Sequence, residues 1–98
     1  MENEKTIRLD FSHVMLEENI GVFTEADLSK HVGNMVHQQA GDIGLDEKAR
    51  ELYHNGSVEV TERMARMFLG IVGDAGLKLY VKQAVMKIIE EAINGQKE

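Results

Sequence analysis

Residues 77–94 constrain the fold most, because their apolar side chains fall on two sides of a predicted helix. Drawn at about 100° per residue, the main stripe comprises Leu77, Tyr80, Val81, Ala84, Val85, Ile88 and Ala92. A second stripe, on nearly the opposite side and beside Lys78 and Lys82, comprises Leu79, Met86, Ile89 and Ile93. A helix that is apolar on two sides is either central in its domain or also covered by another molecule. The second stripe is therefore the candidate interface, and Met86 is its preferred marker.

The whole chain predicts a small single-domain α+β fold that is mostly α, with about four helices and a short N-terminal β element. A chain of 98 residues is too short for two hydrophobic cores. Residues 1–98 are therefore expected to form one domain, with frayed termini at residues 1–4 and 95–98.

The N-terminal β element is predicted from alternation, because Ile7, Leu9 and Phe11 are separated by polar residues. This pattern indicates a strand over residues 5–12. A strand needs a partner for its backbone hydrogen-bonding groups. Three partners remain open, namely residues 14–22 after a turn at residues 18–21, residues 57–60, and another chain.

Three further helices are predicted from apolar stripes and capping residues. Their N-terminal residues, in chain order, are Thr24, Asp46 and Thr61. For the first of them, acidic residues follow the cap, and Phe23 and Leu28 are expected to form a hydrophobic staple. Gly41 and Gly56 are expected to end the first two helices in a left-handed conformation, and residues 73–76 read as a turn.

Composition excludes several classes of site. The chain has no cysteine, so it forms no disulfide, thiolate nucleophile or cysteine-ligated zinc site. No apolar run approaches the roughly 20 residues that span a bilayer, so we expect a cytoplasmic protein without membrane contact. A net charge of −6 makes a nucleic-acid partner unlikely, because it repels phosphate backbones.

The charge is unevenly distributed along the chain. Residues 1–62 hold five lysines and arginines against thirteen aspartates and glutamates, whereas residues 63–87 hold five against one. The candidate basic face comprises Arg63, Arg66, Lys78 and Lys82. Separate acidic and basic faces are either ordinary solvated surfaces or surfaces that steer a partner or self-association.

No catalytic, cofactor-binding or metal site is predicted from the titratable residues. The four histidines are His13, His31, His37 and His54. None forms the i, i+4 pair with an intervening glutamate that is typical of zinc enzymes. The adjacent carboxylates and the glycine-rich residues 41–44 and 73–76 are typical of solvated faces and turns.

The methionines leave two interpretations open. Met35, Met64 and Met67 lie at helical positions, where flexible thioethers either fill a core or line an adaptable groove. Core filling is the simpler interpretation for these three residues.

The middle of the chain resembles small, uncharacterised proteins encoded in phages and prophages of gut bacteria. The resemblance covers residues 28–72, and it rests on the segments LSKHVGNMVHQQ, DIGLDEKARELY and VEVTE. These motifs are structural, so the resemblance implies an accessory or assembly role and names no catalytic residue.

Two functions follow as hypotheses. The first is a non-enzymatic module that binds a protein partner or a second copy of itself through the last helix and the edge of the N-terminal strand. The alternative is a small nucleic-acid-binding regulator with a helix-turn-helix-like core, in which residues 61–72 form the helix that enters the groove.

Overall fold

The computed structural model describes residues 6–95. Its elements, in chain order, are β1 (Thr6–Asp10), β2 (Val14–Asn19), β3 (Val22–Ala26), α1 (Ser29–Gln39), α2 (Ile43–Asn55), β4 (Ser57–Thr61), α3 (Glu62–Asp74) and α4 (Leu79–Gly95). Four helices with short antiparallel strands confirm the predicted α+β class. Of the termini expected to fray, residues 1–4 and 96–98 lie outside the described residues, and Gly95 is the last residue of α4.

Strand β1 pairs with β4 in an antiparallel two-stranded sheet, so the partner is one of the three that the sequence left open. Ile7 lies opposite Val60, and Leu9 lies opposite Val58. All four side chains are buried, because both strands alternate apolar and polar residues in the same phase. The sheet thus presents one continuous apolar face to the helices.

A second sheet, formed by β2 and β3, overturns the predicted start of the first helix. Asn19 pairs with Val22, and Gly21 in the connecting turn adopts a φ of +79°. That conformation suits glycine because it has no Cβ. The returning chain places Thr24 opposite Leu16 in the middle of a strand, so Thr24 is not an N-cap. Phe23 is exposed instead of stapling Leu28.

Helix α1 begins five residues later than predicted, at Ser29. The side chain of Asp27 provides an acceptor for the first backbone N–H of this helix. Its Oδ1 accepts hydrogen bonds from the Ser29 backbone N (3.0 Å) and Oγ (2.6 Å). The Leu28 backbone N also donates to the Phe11 carbonyl oxygen, at 2.8 Å. This bond ties the start of α1 to the chain that leaves β1.

The caps of α2 and α3 were predicted with mixed success. Thr61 is confirmed as an N-cap, because its Oγ1 accepts from the Met64 backbone N at 3.2 Å. Gly56 is confirmed as the left-handed residue that ends α2, with a φ of +85°. Asp42, not Asp46, is the N-cap of α2 and accepts from the Leu45 backbone N. The prediction of a left-handed Gly41 is wrong, because α1 ends at Gln39, its C-cap Ala40 is extended, and Gly41 does not have a positive φ.

Helix α4 packs on one side of the core, where it contacts α3, β1 and β2. Val85, Ile89 and Ile93 are its buried residues. They belong to one core that also contains Leu9 of β1 and Phe68 of α3. Packing against these three elements therefore covers the middle of its broad apolar surface and leaves the margins partly exposed.

Candidate protein-binding surface

The predicted second stripe of α4 does not form one exposed surface. Ile89 and Ile93 are buried in the core, and Met86 is half-buried against it. Leu79 alone among the four candidate residues is largely exposed, at 66% of its surface. The candidate interface inferred from the sequence must therefore be redrawn around Leu79.

The apolar surface of α4 that the core leaves exposed lies along one side of the helix. The buried Val85 belongs to the main stripe and the buried Ile89 to the second, and the two are neighbours on the helix surface, so the stripes together form one wide apolar arc. The margin of the main stripe contains Tyr80, Ala84 and Ile88, which are only half-buried. These side chains face the hairpin of β2 and β3 across an open groove.

We call this depression the hairpin–α4 groove. Its principal apolar residues are Met15, Ile20 and Phe23 from the hairpin, and Leu79, Ala84 and Ile88 from α4. Four of the seven large apolar side chains exposed on the described residues line it, so the exposed apolar surface is clustered. Ile20, at the tip of the hairpin, is 97% exposed. Clustered exposed apolar surface of this kind is typical of interaction sites.

The hairpin side of the groove is acidic. Residues 9–29 contain no lysine or arginine, whereas Glu17, Glu18 and Glu25 all lie on the two strands. The opposite wall contributes Glu91 and one cation, Lys87. A ligand that enters the groove therefore meets apolar side chains first and carboxylates around them.

A second, separate groove lies beside α1 and α3. Its apolar lining includes Met35, Met67, Ile71 and Leu77. Met35 and Met67 thus lie along a groove, and Met35 also packs against the core, so both interpretations of these two methionines stay open. Met64 packs against the core and is not among the lining residues of this groove, as the core-filling interpretation expects.

The histidines are dispersed over the surface. His13 contacts Glu25 beside the hairpin, and His37 contacts Asp46 between α1 and α2. His31 lines the second groove, and the ring of His54 meets that of Tyr53 edge-on. Within residues 6–95 no group of three or more potential metal ligands lies close together.

Three aspartates have lowered pKa values, each because of a local hydrogen bond. Ser12 lowers the pKa of Asp10 by donating to its carboxylate from its hydroxyl and its backbone N, and Ser29 does the same for Asp27. The hydrogen bond with His37, followed by the one from Arg50, lowers the pKa of Asp46. These contacts stabilise turns and helix ends, and they do not converge on a shared cavity.

The candidate basic face is not one compact patch. Arg66 forms an ion pair with Glu62 on the same helix, with Nη2 and Oε2 2.5 Å apart. Lys82 donates from Nζ to the Gly73 carbonyl oxygen at 3.1 Å, where a cation offsets the negative end of α3. Arg63 lies at the opposite end of α3, about 15 Å from Gly73 along the helix axis. Exposed Lys78 precedes α4.

Comparison with known proteins does not assign a family. No match to this chain was found among protein-family models, curated proteins or solved structures. The resemblance of residues 28–72 to phage and prophage proteins stays a prediction. No helix in the described part of the chain is long and apolar enough to cross a bilayer.

Proposed function

We propose that this chain is a non-enzymatic protein-interaction module whose binding surface is the hairpin–α4 groove. The observation that carries the proposal is the clustering of exposed Met15, Ile20, Phe23 and Leu79 around a single groove. Scattered exposed apolar residues are ordinary on a protein surface, whereas a contiguous patch with a polar rim is typical of an interface.

The groove offers a favourable free energy of binding. Apolar surface removed from water contributes about 25 cal/mol per Å², and a fully covered large side chain contributes about 1.5–3 kcal/mol. Phe23 and Leu79 are each more than half exposed, so a partner that covers both would gain most of that contribution. Both are held on regular elements, so little ordering is needed on binding.

The non-enzymatic part of the proposal rests on the spacing of the titratable side chains. His13, at the edge of the groove, contacts Glu25, and both side chains are largely exposed. Catalytic groups usually lie in a cleft that excludes water, whereas this pair is open to solvent. The resemblance in residues 28–72 suggests a phage or prophage accessory or assembly role for the module.

The test compares groove variants with a matched surface variant. Phe23→Glu and Leu79→Glu place a charge in the groove, while Ile43→Glu places one on a 76% exposed apolar residue that does not line it. Self-association is measured by sedimentation velocity of the pure protein, and partner binding by capture on the immobilised protein from a cell extract.

We expect wild type and Ile43→Glu to form the same complex and the two groove variants to lose it. Circular dichroism should show that all three variants retain the wild-type fold, because each residue is exposed. Complexes that persist in both groove variants would contradict the proposal. So would a pure protein that stays monomeric and captures nothing from the extract.

A further inference from the structure

We infer that the occupant of the hairpin–α4 groove is an amphipathic helix of another protein that carries lysine or arginine beside its apolar face. This inference rests on the proposed function and names the class of partner. It is carried by the dimensions of the groove, by the charge around it and by the poor fit of a second copy.

The length of the groove fits a short helix. Tyr80, Ala84 and Ile88 follow one another on the same side of α4 along the groove, and the rise over the eight positions from Tyr80 to Ile88 is about 12 Å along the helix axis. A helix that docks through apolar anchors at i, i+4 and i+7 presents them over about 10 Å. Three such anchors therefore fit between Tyr80 and Ile88, opposite Met15 and Phe23 of the hairpin.

The charge around the groove indicates which charged residues the partner helix should carry beside its apolar face. Glu17 of the hairpin and Glu91 of α4 stand on opposite walls, and Lys87 is the one lysine or arginine among the lining residues that are described. Cations placed beside the apolar face of a partner helix would meet carboxylates on both sides, which accelerates association and favours this partner over an acidic one.

A second copy of the chain fits this surface less well. A symmetric dimer presents the same patch from both copies, so two concave grooves would face each other and each copy would bring its own excess of carboxylates to the interface. Like charges brought together at an interface are unfavourable, and residues 9–29 contain no lysine or arginine to offset them. Charge complementarity thus favours a basic partner over self-association.

The probe is a fluorescently labelled 14-residue peptide with leucines at helical i, i+3, i+4 and i+7 spacing and lysines on the flanks. A matched peptide carries glutamate in place of each lysine. Binding to the full chain is measured by fluorescence anisotropy at two salt concentrations, and the bound peptide is examined by circular dichroism. We expect the lysine peptide to bind as a helix, about tenfold or more tightly than the glutamate peptide, with an affinity that falls as salt is raised.

Two sets of variants, each with a control outside the groove, separate the apolar and charged contributions. Phe23→Ser and Leu79→Ser should each weaken lysine-peptide binding by about tenfold, while Ile43→Ser should leave it unchanged. Glu17→Gln combined with Glu91→Gln should reduce both the affinity and its salt dependence, while exposed Glu47→Gln outside the groove should not. Glutamine at position 17 can still accept the hydrogen bond from the Gly21 backbone N, at 2.8 Å in the native chain, so the turn is preserved.

Several outcomes would overturn the inference. Equal binding of the two peptides would exclude selection by charge, and a bound peptide in extended conformation would indicate strand addition to the hairpin. A dimer of the pure protein that is lost in Phe23→Ser would identify a second copy as the occupant, and the proposed function would then stand. Lysine-peptide binding that Ile43→Ser weakens as much as Phe23→Ser would place the peptide outside the groove. Loss of all groove-dependent association, with peptides and with captured proteins, would overturn the proposed function itself.

Discussion

At the scale of single residues, Gly33 sets how closely α1 and α2 approach. A Cβ atom at this position would lie 2.9 Å from the Ala49 carbonyl oxygen and 3.1 Å from the Tyr53 Cβ. Both neighbours belong to α2, and one is a backbone atom that cannot rotate away. Gly33 is helical and buried, so its role is to leave space between two helices, and its backbone conformation is one that any residue adopts.

We expect Gly33→Ala to lower the free energy of unfolding by about 1–3 kcal/mol, the usual cost of overfilling a packed contact. Gly70→Ala is the matched control, because Gly70 lies inside α3 and no described atom lies within 4 Å of its added Cβ. Alanine there should raise stability by about 0.5–1 kcal/mol through helix propensity. Urea denaturation followed by circular dichroism measures both. Equal effects of the two substitutions would show that the α1–α2 contact is not tight.

At the scale of elements, α4 has apolar side chains both in the core and in the exposed groove beside the hairpin of β2 and β3. Helix α4 buries Ile89 completely and leaves Leu79 mostly exposed, although both belong to the same stripe in the sequence. The stripe runs the length of the helix, whereas the core covers its middle and C-terminal part. The half-buried Ala84 and Ile88, further along α4, also face the hairpin, so the groove runs beside most of the helix.

This division predicts opposite results for two similar substitutions in α4. Ile89→Ala should lower the free energy of unfolding by about 2–5 kcal/mol, because it leaves a cavity in the core. Leu79→Ala should change it by about 0.5 kcal/mol or less, since an exposed side chain contributes little to folding. Thermal and urea unfolding of both variants test this expectation. A large loss for Leu79→Ala would mean that Leu79 belongs to the core and not to the binding surface.

At the scale of the whole molecule, the distribution of charge disfavours nucleic acid. The chain carries a net charge of −6, Arg66 pairs with Glu62, and Lys82 caps the end of α3. The topology also differs from that of the predicted helix-turn-helix core, because strand β4 separates α2 from α3. The short connection of residues 40–42 joins α1 and α2 instead.

We therefore expect no binding to labelled duplex DNA in fluorescence anisotropy at about 50 mM salt, a condition that strengthens electrostatic association with phosphates. A basic DNA-binding domain of similar size serves as the positive control. Binding that declines steeply with salt, and that weakens in Arg63→Ala or Lys78→Ala, would restore the nucleic-acid hypothesis.

The hairpin shows which sequence signals were sufficient and which were not. A threonine followed by acidic residues, as at Thr24 and Glu25, is typical of a helix start, and the same kind of signal at Thr61 was correct. At Thr24 the antiparallel pairing with Leu16 competes for the backbone, and the strand prevails. The strand-favouring residues Val22, Phe23 and Thr24 after a glycine turn could have indicated a hairpin.

The amino-acid sequence by itself determined the fold class, the four helices with errors of up to five residues at their starts, and the strand of residues 6–10. These features depend on periodicity and on caps, which act within a few residues of each other. Tertiary structure alone decided the partner of β1, the close contact at Gly33 and the side of α4 that faces the core. Each of these depends on residues distant in sequence. The candidate site was reassigned from the second stripe of α4 to the hairpin–α4 groove for the same reason. The sequence alone does not show whether neighbouring residues cover an apolar side chain or leave it exposed.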